Sequence, residues 1–396
     1  MSHSPLDWLA DELSSLDAAG LRRRQRVVRS LGGGRCEVDG RTLWDFSSND
    51  YLNLANDPRV IEAARSGSSS HGTGARASAL VCGRTEWHER LESRLAAFEG
   101  AEAAILFPSG YAANVGTIGA LVGEGDVVLC DRLSHACLVD GCRLSGARFR
   151  VYPHADVDRL DRELAKHATA RRCLIVTDGV FSMDGDLAPL PELCDAAERH
   201  AAMLLVDEAH GTGVFGHSGR GAAEELGVEN RNLIRTGTLS KAIGAQGGFV
   251  TGSRDLIDWL WNGARTQMFS TALTPAMCAA ACAALDIIEN EPQRREGLAE
   301  KSGQLRSQLA ANGIEVPPKS RGPIVPVILG DSRRCTEVAA RLEEQGFLTG
   351  CIRPPTVPRE TARLRVSVTA QHPDEVVSAL AAAIAEAALK RTAIGD

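Results

Sequence analysis

The spacing of apolar positions changes character along the chain. Over residues 5–30, Leu, Trp and Val alternate with charges at helical spacing, which predicts an amphipathic helix or a pair of helices lying against a larger body. The run Gly32-Gly33-Gly34 breaks that pattern, and residues 36–46 read as a short hairpin turning about Asp39-Gly40. A polar loop closed by aromatics occupies 46–52. The Gly- and Ser-rich segment 66–83 is longer than an ordinary connection and is expected to be mobile or to wrap a site. Residues 86–98 then predict a helix with Leu91, Leu95 and Phe98 turned inward.

From residue 101 the pattern becomes strand, turn, helix. Short apolar runs at 104–107, 127–130, 173–177, 203–207, 233–237 and 248–251 read as strands, with helices at 112–121 and 189–200. Polar loops follow the strands, on the side where open α/β sheets bind ligands. A long alanine-rich helix over 275–289 is followed by a helix at 293–312, strands at 324–329, 348–353 and 364–369, and helices at 335–345 and 374–390. This second pattern is a separate α+β layer, so the expected division is an arm and hairpin over 1–45, a large domain over 46–288 and a small one over 289–396.

With 396 residues, 44% hydrophobic and 24% charged, the composition is that of an ordinary globular protein. A formal net charge of -7 argues against nucleic acid or an anionic membrane as the main partner, so an anionic ligand must be bound by local donors. The eleven cysteines are odd in number, scattered and free of C-x-x-C pairs, which suggests neither a disulfide framework nor a zinc ribbon, and no metal site is expected. Cys278 and Cys282 read as small apolar residues on one helix face. The N-terminal residues lack a signal pattern and the apolar run 276–285 is too short to span a bilayer, so the expected compartment is the reducing cytoplasm.

Candidate chemistry converges on two stretches. Thr236-Gly237-Thr238-Leu239-Ser240-Lys241 places an amine on a loop rich in small residues and hydroxyls, where the backbone can approach a phosphate and the amine can reach a carbonyl. Upstream, Met203-Leu204-Leu205-Val206-Asp207 reads as a buried parallel strand ending in an acid. A carboxylate at a strand's carboxyl end and a lysine on a later loop are what pyridoxal 5'-phosphate needs, one for its ring nitrogen and one for its aldehyde. Gly110 and Tyr111, in a turn feeding a helix, are candidates for the phosphate. His135, at a helix start, is either a cap or a group that stacks on an aromatic cofactor.

Together these motifs resemble the α-oxoamine synthases among the fold-type I pyridoxal phosphate enzymes. The matching stretches are Phe46-Ser47-Ser48-Asn49-Asp50-Tyr51-Leu52, Asp131-Arg132-Leu133-Ser134-His135, Gly179-Val180-Phe181-Ser182-Met183-Asp184-Gly185, Asp207-Glu208-Ala209-His210, Thr238-Leu239-Ser240-Lys241 and Ile352-Arg353-Pro354-Pro355-Thr356. The resemblance implies a large, mostly parallel seven-stranded sheet domain flanked by helices and a smaller α+β domain. It implies that Lys241 is the Schiff-base lysine and general base, that Asp207 pairs with the pyridine nitrogen and that His135 stacks on the ring. Ser182 and His210 would meet the ring's phenolic oxygen, and Gly110, Tyr111 and Thr238 the phosphate, helped by Ser270 or Thr271 across a subunit interface. Arg353, assisted by Asn49 and His135, would take the amino-acid carboxylate, while Arg22 and Thr356 would meet the acyl substrate.

The 352–356 stretch tilts the reading towards a member that joins L-alanine to a pimeloyl thioester, carried by coenzyme A or a carrier protein; members that use glycine are the alternative. A homodimer with active sites between subunits is implied as well. The chain departs from the family's pattern at Asn53 and Cys82, where relatives tend to carry Gly and Ser.

Overall fold

The computed structural model describes residues 4–389. From the N-terminus the elements are α1 (Trp8–Ala18), β1 (Val28–Gly32), β2 (Arg35–Val38), β3 (Arg41–Phe46), α2 (Pro58–His71), a π-helical turn (Ala79–Gly83), α3 (Glu86–Glu99), β4 (Ala103–Phe107) and α4 (Gly110–Leu121). Next come β5 (Val127–Asp131), α5 (Ala136–Leu144), β6 (Arg148–Tyr152), α6 (Val157–Lys166), β7 (Cys173–Asp178), α7 (Leu190–Arg199), β8 (Met203–Asp207), α8 (Ala222–Glu225), β9 (Leu233–Thr238) and β10 (Gly248–Gly252). The remainder is α9 (Arg254–Gly263), α10 (Arg265–Met268), α11 (Pro275–Asn290), α12 (Gln293–Ala311), β11 (Ile324–Gly330), α13 (Ser332–Glu344), β12 (Phe347–Ile352), β13 (Ala362–Ser367) and α14 (Asp374–Leu389). The last residue of the helix expected over 374–390 lies outside the described residues.

Two units make up the chain: Asn49–Leu298, and Met1–Ser48 together with Ala299–Asp396. The arm and hairpin expected over 1–45 therefore do not stand apart from the C-terminal segment, and the later boundary falls after Leu298, not at 288. The reason is strand pairing. β3 lies parallel to β12, with Phe347 opposite Trp44 and Thr349 opposite Phe46, so the hairpin extends the C-terminal sheet to six strands in the order β1-β2-β3-β12-β13-β11. Only α1 of the helical arm is helical, and it buries no residue. Val28–Gly32 instead pairs antiparallel with β2. Gly32, Gly33 and Gly34 all have positive φ, which lets the chain double back at once. Gly34 also runs against His372, whose buried ring stacks on Phe46 at 3.8 Å.

In the large unit seven strands run β4-β10-β9-β8-β7-β5-β6, parallel except for β10, which is antiparallel to both neighbours. β5 and β9 are buried along their whole length, as covered strands in an α/β sheet must be. Two apolar clusters cover the sheet, one including Leu129, Ile175 and Val206, the other Val128, Val176 and Leu205, as the period-two alternation of strands requires. The apolar pattern of the sequence passes over β6 because it is an edge strand with Arg148, Arg150 and Val151 exposed. No described helix is long and apolar enough to cross a membrane.

The Gly- and Ser-rich segment, expected to be mobile or to wrap a site, begins inside a helix and ends in the π-helical turn. α2 runs through to His71, and its small residues serve close packing against α11: a Cβ on Gly67 would lie 2.9 Å from the Cα of Ala276 and from the carbonyl of Pro275. Gly67→Val should therefore lower stability by about 1–3 kcal/mol through overpacking. Gly119→Ala, at an exposed helical position with open space around it, should instead gain about 0.5–1 kcal/mol. Equilibrium unfolding of both variants checks the pair; equal effects would refute the packing argument.

Candidate active site

The parallel strands β5, β7, β8 and β9 end together and deliver the polar loops to one edge of the large unit. At the end of β8, Asp207 is buried and its carboxylate is held from two sides: Asn114 Nδ2 donates to one oxygen at 2.7 Å and the Ala209 N–H to the other at 2.8 Å. Asn114, one turn into α4, also accepts from the Thr236 hydroxyl at 2.6 Å. Glu208, next along, has a different task. It accepts the N–H groups of Ala222 and Ala223 in a cradle of Gly179, Gly211 and Gly221, which ties down the loop that carries His210. Burial pushes its carboxyl up to about 7.

His135 caps α5. Its backbone N–H donates to Asp178 at 2.8 Å, and its Nδ1 faces the Cys137 thiol at 2.8 Å. Partial burial holds the imidazole pKa below its usual value against the pull of Asp207, and Lys241 adds to the lowering. The ring is therefore neutral at pH 7, although one side stays open to solvent. Asp178 sits beside Asp207 in the β7–β8 register, and burial together with that neighbouring charge raises its pKa far above the carboxylate range.

Lys241 follows β9 on a tight turn, half-buried, where Gly244 returns an N–H to its carbonyl at 2.9 Å. Gly244 has a φ of 70° and a Cβ there would meet the Ala55 nitrogen at 2.4 Å, so the turn is pinned to the backbone at Leu54 and Ala55. Thr238 Oγ1 lies 2.8 Å from the Ser240 hydroxyl. Gly110 packs against Thr238, where an added Cβ would come within 3.2 Å, and Ser109 caps α4 by accepting from the Ala112 N–H. Tyr111 points its ring outward and donates to Asp140 at 2.8 Å, so what it offers the site is its helix-start N–H and not its hydroxyl. His210 Nδ1 lies 2.7 Å from the hydroxyl of buried Tyr51, which in turn donates to Asn49 at 3.1 Å.

Ser182 is buried on the loop after β7. That loop is fastened by His154, which reaches Asp186 at 2.8 Å through Nε2 and Asp131 at 3.0 Å through Nδ1, with its edge against Phe181. Asp131 also accepts the Leu133 N–H. One imidazole thus ties the loop of His135 to the loop of Ser182.

Arg22, Arg353 and Thr356 belong to the small unit. Arg22 pairs with Asp17, and an Arg353 guanidinium nitrogen donates to the carbonyl of Gly20. Thr356 is exposed, and its N–H donates to the Arg353 carbonyl at 3.1 Å. In the large unit, Thr271 is exposed and bridges to Ser78, with Ser270 beside it. Asn53 has a φ of 54°, a left-handed conformation that Gly adopts freely and Asn tolerates. Cys82 is exposed on the π-helical turn, whereas Cys278 and Cys282 are buried on α11 as expected. Sequence reasoning missed Asn114, Cys137 and His154. The available signal for Asn114 was a lone amide in a helix of otherwise small and apolar residues.

The class I and II aminotransferase family matches residues 41–384. An 8-amino-7-oxononanoate synthase from Anaeromyxobacter dehalogenans is 49% identical over 385 residues, which span 97% of this chain and 96% of the relative. The chain belongs to the 8-amino-7-oxononanoate synthase family. A synthase of the same name from Aromatoleum aromaticum is 47% identical, covering 96% of this chain and 98% of that one. Among solved structures, a serine palmitoyltransferase from Sphingomonas wittichii superimposes with a TM-score of 0.92 at 34% identity, covering 97% of each chain. An 8-amino-7-oxononanoate synthase from Francisella tularensis gives 0.74 at 28%, covering 87% of this chain and 97% of that one.

The fold is that of the fold-type I enzymes, and the chain is a pyridoxal phosphate-dependent acyltransferase. The residues present fit that cofactor. A carboxylate oriented by two donors, a neutral imidazole beside it and an amine on the next loop match a flat cationic heterocycle bearing an aldehyde, and Gly110 leaves the mouth of α4 clear where a side chain would crowd Thr238.

His154 yields a pH prediction. Burial alone would depress its pKa, but the bonds to Asp131 and Asp186 raise it to about 10 from the usual 6.5. A folded-state pKa above the unfolded one means the clamp's contribution is full below about pH 6.5 and is lost as pH rises through about 10. The stability gap between wild type and His154→Gln should shrink over that window in denaturant titrations; a gap that does not change with pH would contradict the assignment.

Proposed function

We propose that the chain catalyses the decarboxylative condensation of L-alanine with pimeloyl-CoA or a pimeloyl-carrier protein, giving 8-amino-7-oxononanoate, carbon dioxide and free thiol for biotin biosynthesis in the cytoplasm. The observation that carries this reading is near-full-length identity of 47–49% to proteins of that name. A glycine-using relative is the alternative, because one methyl group changes discrimination by only about 1–3 kcal/mol.

Bound pyridoxal phosphate supplies an electron sink for the amino acid's α-carbon. Lys241 would hold the cofactor at its aldehyde, and its Nζ would take the α-proton as general base. Asp207, kept in place by Asn114 and the Ala209 N–H, retains a proton at the ring nitrogen. His135 stacks on the ring, and its neutral state avoids placing a second cation against a protonated pyridine. Ser182 and His210 would hydrogen-bond the phenolic oxygen, His210 with Tyr51 at its Nδ1. Gly110, Tyr111 and Thr238 bind the phosphate, joined by Ser270 or Thr271 of a second subunit in a homodimer.

Arg353, with Asn49 and His135, orients the amino-acid carboxylate bidentately, and Arg22 and Thr356 meet the acyl chain. The Arg353 contact to the Gly20 carbonyl fits this reading, since a guanidinium tethered by one nitrogen keeps other donors for a carboxylate. The deprotonated carbon attacks the thioester carbonyl and the thiolate leaves, taking a proton from solvent; the β-keto acid then loses carbon dioxide, and its α-carbon recovers the proton held on Lys241 Nζ.

Lys241→Ala should abolish the visible absorbance of the covalently held cofactor together with condensation; normal turnover in that variant would overturn the mechanism. Assayed with pimeloyl-CoA, the wild type should release thiol with alanine and much less with glycine. Strict use of glycine would instead assign it to the alternative.

A further inference from the structure

We infer that Asn114 and Cys137 are positioning residues that hold His135 in one tautomer, with its proton on Nε2, and couple the orientation of that ring to Asp207. Only the placing of the cofactor over His135 rests on the function proposed above; the tautomer follows from hydrogen-bond directions within the chain.

Start from Asp207. An ionised carboxylate accepts and cannot donate, so the Asn114 atom 2.7 Å from it is the amide nitrogen. The Thr236 hydroxyl, 2.6 Å away, then donates to the amide oxygen. Asn114 is 2% exposed, so this orientation has no competition from solvent. Its amide nitrogen also donates to the Cys137 sulfur at 3.1 Å. A sulfur that accepts there leaves its own hydrogen to point elsewhere, and His135 Nδ1 is 2.8 Å away. The Cys137 backbone N–H donates to the same Nδ1 at 3.3 Å.

Two donors therefore converge on Nδ1, and a hydrogen on that atom would oppose both. Burial and the neighbouring Asp207 charge both raise the Cys137 thiol pKa, so the thiol keeps its hydrogen. A neutral ring with Nδ1 as acceptor carries its proton on Nε2. The Asn114 amide donates one hydrogen to Asp207 and the other to Cys137, and Cys137 donates on to His135, so the run is directed outward from that amide to both ends. The acid at the end of β8 and the imidazole at the start of α5 are set by one buried amide.

The test is long-range proton–nitrogen NMR of 15N-histidine-labelled holoenzyme, with His135→Gln to assign the signal. Wild type should show His135 with a bare Nδ1 and a protonated Nε2. In Cys137→Ala only the backbone donor remains, so the signal should move towards a mixture of tautomers and kcat should fall about tenfold, roughly one hydrogen bond's worth. Cys137→Ser, whose hydroxyl can accept and donate in the same places, should restore both. A protonated Nδ1 in the wild type would overturn the inference, and so would a Cys137→Ala variant with unchanged signal and turnover. Because the spectrum needs no substrate, a failed alanine assay with the wild-type tautomer as described would remove the proposed reaction and leave this inference standing.

Discussion

The structure of the large unit turns on burying an acid at the end of a parallel strand. Asp207 sits 5% exposed beside Asp178, another buried carboxyl, between two strands that are themselves buried almost throughout. Such a group is tolerated only with donors aimed at it. The sheet alone cannot provide them, because its backbone N–H groups are committed to the ladder. They come instead from the first helical turns after β4 and from the turn after β8, and these are the segments that the strand ends bring to one edge. The demand for donors and the delivery of the candidate site's side chains are met by the same loops.

Much of this was legible in the residues. A strand such as Met203–Asp207 announces itself by unbroken apolar content with an acid at its end, and the lysine turn by its hydroxyls and glycine. What stayed hidden was contact between segments distant in sequence. Asn114 is 93 residues from Asp207, and nothing in local spacing says that its amide will cross from α4 to β8. His154 is harder still, because it follows an edge strand whose exposed arginines mask it and its two partners lie on other loops. A residue that acts by joining two loops has no local pattern of its own.

The two misread segments fail for opposite reasons. Residues 66–71, read as the start of a long Gly- and Ser-rich connection, instead close helix α2, because packing on α11 selects small residues at that face and overrides propensity. At the N-terminus the helical spacing of apolar residues ran on into Val28–Gly32, where pairing with β2 decided the outcome. Tertiary contact won in both places, once by admitting a helix of weak formers and once by converting a helical pattern into a strand.

Backbone likeness and name do not run together among the solved structures. A serine palmitoyltransferase at 34% identity matches the chain at a TM-score of 0.92, while a solved 8-amino-7-oxononanoate synthase at 28% gives 0.74. If shape carried specificity, the order would be reversed. A shared fold holds the frame constant across both structures. Discrimination among amino acids and acyl chains must then reside in a few side chains, and it can change without moving a strand. Near-full-length identity of 49% to named synthases weighs more than superposition because it samples those side chains directly.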